Sequence, residues 1–351
     1  MHIPDGYLSP STCLAFGAAM LPVWATAGRK VKARLRSRHI PLMAFGAAFS
    51  FTIMLYNIPV PGGTTAHAVG GALLAVVLGP WATSVCITIA LAIQALLFGD
   101  GGILSFGANC FTMAFVLPFV AWGTYRLIAG RSEPRSARRW LGAALGGYLG
   151  LNAAALVAAT ALGLQPLLFH SPAGTPLYCP YPLGMAVPAM MLGHLTLAGP
   201  LEGVVTALVV RYLQASDVDL LNLYAHTTMA APETRPPSRK LWWGAAALIL
   251  LSPLGLLARG TAWGEWGADE LGRLVGYVPA GLQRLSGSWS HALFPDYSLP
   301  AAFGGTWPPS VIYVLCALVG VGGVAGLTAL LGRLQGAENT PQSAEGTKSD
   351  R

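Results

Sequence analysis

The chain opens Met1, His2, Ile3, Pro4, Asp5, Gly6, an opening dense in nitrogen donors. The α-amine of Met1, the backbone amide nitrogen of His2 and the His2 imidazole can close successive chelate rings around one metal ion once the amide loses its proton. Three nitrogens then lie in a plane, and a fourth completes the tetragonal geometry diagnostic of Ni(II) or Cu(II). His67 is the best source of that fourth nitrogen, because it ends the loop 59–67 that follows the second apolar stretch. Taken singly, each histidine is ordinary: one is the second residue of a loose end, the other a hydrogen-bonded helix start. Their conjunction with an amine, and with a Pro-Asp-Gly turn that bends the chain back, favours the metal reading. Asp5 suits either of two roles, accepting an imidazole N–H or forming that turn. Thr65 and Asn57 are the other residues expected to support the ligands, while Gln94, Asp100 and Asn109 stand near outer ends where they can hold loops.

Other chemistry-bearing residues give weaker signals. His194 and Glu202 lie two turns apart in one apolar stretch, where ionisable groups are functional by default; a structural pairing within the bundle is an equal alternative. His39, His170, His226 and His291 fall in loops or at the ends of stretches. Cys13, Cys86, Cys110 and Cys316 lie within apolar stretches and Cys179 stands alone in a loop, so they read as packing residues, with no disulfide framework or CxxC metal site. Neither HExxH nor GxxxxGK[ST] occurs, which excludes zincin-type hydrolysis and P-loop ATP hydrolysis by this chain.

The elements that must position these residues are membrane helices. Only 10% of the 351 residues are charged and 54% are apolar, against roughly 25% charged in soluble domains. Apolar stretches near the roughly 20 residues needed to cross a bilayer fall at 10–28, 40–58, 65–79, 81–99, 107–129, 139–163, 183–213, 241–258 and 309–333. The fold class is therefore all-α, a polytopic integral membrane bundle of about nine transmembrane helices, seven plus two. Six Lys and Arg fall in 29–38, five in 126–139, four in 211–240 and three in the tail, leaving Arg259, Arg273 and Arg284 opposite. Because cytoplasmic loops hold the basic excess, the N-terminus is expected outside and the C-terminus inside. That asymmetry accounts for the net charge of +7, so the charge gives no argument for nucleic acid. The first ten residues lack a positive n-region, so the N-terminus is expected to be retained. The third stretch is short enough that its outer end should lie below the surface, over a cavity that a folded-in N-terminus can fill.

Four segments follow: a metal-capturing seven-helix membrane domain at 1–213, a Pro-rich polar cytoplasmic linker at 214–240, an accessory two-helix segment at 241–333 with an extracytoplasmic loop, and a disordered cytoplasmic tail at 334–351. Gly142, Gly146 and Gly150, like Ala44 with Ala48 and Gly46 with Ser50, form small-residue faces for close helix packing. Contact within the chain is the expectation, with docking of another membrane subunit as the alternative for the second helix.

The opening MHIPDGYLSP, followed by PGGTTAHAVGG, QALLFGDGGILSFGANCF and GHLTLAGPLEGVVTALVV, resembles the CbiM/NikM substrate-specific components of cobalt and nickel energy-coupling-factor (ECF) transporters. Residues 241–333, with SPLGLLARGTAWGEWGADEL, resemble the CbiN/NikN accessory component, here fused, although its PDGLE string is replaced by a segment beginning Pro295, Asp296, Tyr297. The resemblance implies metal held by the Met1 amine, the two nitrogens of His2 and by His67. It further implies Ni(2+) or Co(2+) as transported substrate, a CbiQ/NikQ-type coupling protein and CbiO/NikO-type ATP-binding cassette subunits as partners, and the bacterial or archaeal plasma membrane as location. On this reading the chain is a transporter subunit, not an enzyme. A stand-alone secondary transporter would want paired intramembrane carboxylates or an inverted repeat, and neither is evident. A membrane metalloenzyme would want an open coordination position. Nickel against cobalt stays open, the planar geometry leaning toward nickel.

Overall fold

In lipid every backbone N–H and C=O must be satisfied inside the chain, which leaves helices as the default element. The computed structural model describes all residues but 35–38, 61–63, 223–238, 259, 300–306 and 338–351. Among them seven helices are long and apolar enough to cross a membrane: α1 (Pro10–Ala33), α4 (Pro80–Phe98), α5 (Phe106–Ala129), α6 (Ala137–Leu168), α7 (Leu183–Ser216), α8 (Arg239–Leu257) and α11 (Pro309–Arg333). Two further predicted spans are shorter. The second stretch forms the 15-residue α2 (Ile40–Met54). The third, expected as a helix over 65–79, instead breaks into a strand, a loop and the eight-residue α3 (Gly71–Leu78). Among the described residues seven full-length crossings are found, and the expected count of nine is not confirmed. α3 is about 12 Å long, under half of a roughly 30 Å hydrocarbon core.

Ahead of α3 a hairpin pairs β1 (Ile58–Val60) with β2 (Thr64–Ala66), in the register Ile58 to Ala66 and Val60 to Thr64. β-Branched Thr64 and Thr65 suit a strand better than a helix, and this breaks the pattern that apolar content alone predicts. The hairpin packs on α7, where a Cβ at Gly193 would meet Val60 and Ala66.

Three long helices contain a π-helical segment: Gln94–Phe98 ending α4, Cys110–Val116 in α5 and His194–Ala198 in α7. Such wide turns cluster at functional sites, and each of these begins at or beside a polar residue of the centre described below.

The small-residue faces serve contacts within the chain. A Cβ at Gly146 would strike the Ala121 carbonyl oxygen at 2.6 Å and one at Gly150 that of Leu117 at 2.7 Å, so α6 lies directly against α5. On α2, Gly46 faces Leu74 and the Ser50 hydroxyl donates to the Val69 carbonyl at 2.7 Å. That face holds α3. The next face of α2 receives α11, Gly320 lying against the Phe51 ring. Tyr313 adds a hydrogen bond to the Leu55 carbonyl at 2.9 Å.

Between α8 and α11 two short helices, α9 (Ala268–Val275) and α10 (Ala280–Leu285), form a cap over the site end of the bundle. Leu282 packs on Gly6, the Gly281 N–H donates to the Leu177 carbonyl at 2.7 Å and the Phe294 N–H to that of Leu97 at 2.8 Å. α11 continues to Ala337, past the expected start of the tail. The rest of the tail, most of the linker, His226 and Arg259 lie outside the described residues. The five cysteines are free and buried, Cys179 included, and burial pushes its thiol up to about 12.

Candidate metal centre

The first nine residues are not a loose end. They run inward between the seven-helix unit and the cap, with Met1, His2, Ile3, Tyr7, Leu8 and Ser9 each no more than 5% exposed. The arm's backbone polar groups are met one by one, as a buried chain requires. Asn109 accepts from the Ile3 N–H at 2.8 Å and donates to the Ile3 carbonyl at 3.1 Å. That carbonyl also accepts from the Gly102 N–H and the Ser105 hydroxyl. Farther along, the Gln165 carbonyl accepts from the Ser9 N–H at 2.9 Å.

Asp5 is the anchor of this arm. Its carboxylate accepts from the backbone N–H groups of Ile103, Leu104 and Ser105 at 3.1, 2.9 and 3.1 Å, so an imidazole is not its partner. Gly102 makes room for it, since a Cβ there would sit 1.9 Å from Asp5 Oδ1. Gly6, at φ +92, turns the chain where a Cβ would lie 2.7 Å from the Leu282 backbone.

On the other side of the centre, the loop carrying His67 is fixed by Glu202. The carboxylate, 1% exposed, accepts from the N–H groups of Val69 and Gly70 at 2.8 Å each and of Ala72 at 3.0 Å. These are amides that the start of α3 leaves without helical partners, and a negative charge there also suits the helix dipole. Of the two equal alternatives for His194 and Glu202, a structural pairing with each other is not formed: Glu202 caps α3, while His194 lies near His67, its Nδ1 donating to the Met190 carbonyl at 2.8 Å.

His2 and His67 meet between these supports, their rings stacked at 5.1 Å and 23°. His67 Nδ1 donates to the Ala68 carbonyl at 3.0 Å, which leaves Nε2 with its lone pair outward. Burial first, then the Met1 amine and the His2 ring, push the His67 pKa well below its usual value, keeping the neutral form that binds metal. Nε2 of His67 and Nε2 of His2 are both buried without a hydrogen-bond partner. Of the two, His67 Nε2 is placed to take a partner as a donor atom. A chelate through the Met1 amine and the His2 amide closes on His2 Nδ1, through a six-membered ring; Nε2 is beyond reach of that ring. No three His, Cys, Asp or Glu side chains among the described residues converge as a metal group.

The cap and the end of α4 add two carboxylates. Glu265 pairs with the Met1 amine at 2.8 Å, and Asp100 Oδ1 faces His2 Nδ1 at 3.3 Å. Asp100 Oδ2 accepts from the Tyr297 hydroxyl at 2.6 Å and from Gln94 Nε2 at 3.4 Å. A cavity of about 500 Å³ opens between arm and cap, lined by His2, Asp100, Glu265, Glu270 and Asp296 among others. Of the other expected supports, Thr65 is buried in β2. The Asn57 backbone lies against Gly255 of the accessory unit. Glu265 and Tyr297 escaped the sequence reading. The signals were an acidic residue inside the Trp-rich string around Trp263 and Trp266, and a Tyr following Pro-Asp.

Comparison with known proteins follows this geometry. The model of the CbiM family, described as the cobalt uptake substrate-specific transmembrane region, matches residues 2–220. A fused nickel transport protein, NikMN, of Rhodobacter capsulatus is 50% identical over 336 residues, 92% of this chain and 94% of its own. A probable fused nickel transport protein, LarMN, of Lactiplantibacillus plantarum is 46% identical over 333 residues, again 92% and 94%. A crystal structure of a transition metal transporter superposes with a TM-score of 0.59 at 56% identity, covering 66% of this chain and 100% of that one.

Proposed function

The chain belongs to the CbiM family, in the form fused to an accessory N-domain, and from that premise we propose that it captures nickel or cobalt for ATP-driven uptake. It is a membrane component of nickel or cobalt transport, with those ions as its substrates. The captured ion is held by four nitrogens: the Met1 amine, the His2 amide, His2 Nδ1 and His67 Nε2. The observation that carries the reading is the meeting of a buried N-terminus with the outward Nε2 of His67, beside the stacked His2 ring. The Ni(II) preference for a tetragonal nitrogen plane makes nickel the first substrate and cobalt the second.

In this reading the N-terminus lies outside and the ion is released inward. Energy comes from a CbiQ/NikQ-type coupling protein and CbiO/NikO-type ATP-binding cassette subunits in the plasma membrane. The seven-helix unit at 1–213 captures the ion, and the accessory segment at 241–333 loads or releases it across the cap. The chain acts as a transporter subunit, with hydrolysis left to its partners.

The test is a titration of nickel and of cobalt into protein bearing a free Met1 amine and into a variant with one residue added before it. The added residue displaces the amine and leaves every side chain in place. Loss of at least roughly a hundredfold in nickel affinity, about 2.7 kcal/mol, with loss of the planar-site absorption, is the expected result. Equal binding by both proteins overturns the chelate and points to His194 beside His67.

A further inference from the structure

Asp296 and Tyr297 adopt φ values of 49° and 56°, a left-handed conformation that side chains with a Cβ resist. Such strain persists only where the surroundings over-determine it, and it gathers at functional positions. Its result here is specific. The Tyr297 ring stacks on Phe98 at 4.7 Å and 18°, and its hydroxyl donates to Asp100 Oδ2 at 2.6 Å. Burial, then the Asp100 charge, push the phenol well above its usual value, so the proton stays on it as a donor. Gln94 adds a second donor from the π-turn of α4. Asp100 is thereby fixed by two donors, one from each unit, with Oδ1 turned to His2 Nδ1 at 3.3 Å.

The 3.3 Å approach of Asp100 Oδ1 is an electrostatic contact rather than a hydrogen bond, and because a carboxylate only accepts, it favours a proton on the nitrogen it faces. Chelation needs the lone pair of that same nitrogen, with the proton on Nε2. One nitrogen thus has two exclusive partners: as the ion leaves, solvent water returns a proton to the His2 amide and carries one to Nδ1, which then faces Asp100.

We infer that Tyr297 is a positioning residue for metal release: it holds Asp100 as a built-in competitor with the ion for His2 Nδ1. The accessory unit contributes no metal ligand. It fixes the acceptor to which His2 returns as the ion leaves, so the strained turn at 296–297 sets the lifetime of the bound ion. The inference rests on the proposed chelate.

The experiment uses the full chain loaded with nickel and follows release to an excess of chelator by stopped-flow. Tyr297→Phe keeps the ring stacked on Phe98 and removes only the hydroxyl. Release slows at least roughly threefold, a change of about 0.6 kcal/mol by the equivalence of 1.4 kcal/mol to a factor of ten. Asp100→Asn also slows release, and the double variant is no slower than Asp100→Asn alone, as expected of two residues acting through one contact. Unchanged or faster release in Tyr297→Phe, or independent effects of the two changes, overturns the inference. Should Tyr297→Phe fail to fold, Asp100→Asn decides by itself, with unchanged or faster release as the overturning result. A protein extended by one residue before Met1 is titrated alongside. If it binds nickel as tightly as the unextended protein, the chelate itself is at fault, whatever the release rates show.

Discussion

Two carboxylates flank the centre and do opposite kinds of work. Glu202 is sealed inside the seven-helix unit, 1% exposed, and is satisfied wholly by main-chain N–H groups. Asp100 is 22% exposed at its side chain and is held by two side chains from separate units while facing a third. A carboxylate bound by backbone alone has no alternative partner within reach, so it fixes the His67 loop in one place. One bound by side chains can trade partners at small cost. The site thus joins a prebuilt half, His67 on its hairpin, to an adjustable half, the N-terminal arm under the cap. The difference teaches that the His67 half is fixed by main-chain contacts, whereas the contact between arm and cap runs through side chains.

The comparison is sharpened most by Glu202→Gln. The amide turns an N–H donor toward main-chain donors and removes the charge, each charge-assisted bond being worth about 1.5–3 kcal/mol. The thermal unfolding midpoint in detergent should fall by several degrees, and nickel affinity by at least roughly tenfold, about 1.4 kcal/mol. A variant as stable and as tight as the unchanged protein would show the His67 loop to be held by packing alone. Next in size is Asp5→Asn, which sets an amide against three backbone donors. A cost of about 1–3 kcal/mol should appear as faster proteolysis or hydrogen exchange of residues 1–9, the bundle staying folded; protection equal to that of the unchanged arm would contradict the anchor role. The smallest effect belongs to Glu265→Gln. Its ion pair with the Met1 amine is 19% exposed on the carboxylate side, and partly exposed pairs contribute about 0–1 kcal/mol. Nickel association should change no more than roughly fivefold, about 1 kcal/mol. A larger loss would make Glu265 part of the ligand set and dissolve the distinction between the two halves.

Much of this was legible in the sequence, for reasons that differ by residue. That His2 and His67 would meet was legible because nitrogen donors at a chain start and in a Gly-rich loop are conspicuous, and the long apolar stretches declared the membrane bundle. The third stretch misled because apolar content does not record whether a segment is a crossing helix or a strand and half-helix; the Thr pair and the flanking glycines held that information. Glu202 was visible as an intramembrane charge, but its partners are main-chain amides of a distant loop, and no side-chain pattern announces those. Of the two roles assigned to Asp5, the turn is present, closed by the Tyr7 N–H on the Pro4 carbonyl, and the carboxylate adds an anchoring role on three backbone N–H groups that the sequence did not announce. Tyr297 was beyond reach, since its importance comes from a left-handed backbone that only packing between two units imposes.

The π-turns carry a consequence for how this bundle tolerates change in length. A π-turn is an α-turn with one residue too many, and each residue of a helix accounts for about 100° of rotation. Removing one residue within 194–198 would restore a regular helix with everything beyond it still facing the same way, because the wide turn already absorbs that residue. The same deletion in the regular part of α7 would swing the helix beyond it by about 100°, and Gly203, whose absent Cβ lets α7 approach the Ala144 carbonyl, would leave its neighbour. Deletion scanning along α7 would read the difference directly: within these five residues the loss falls on the placement of His194, and outside them it is felt as mispacking of α6 on α7.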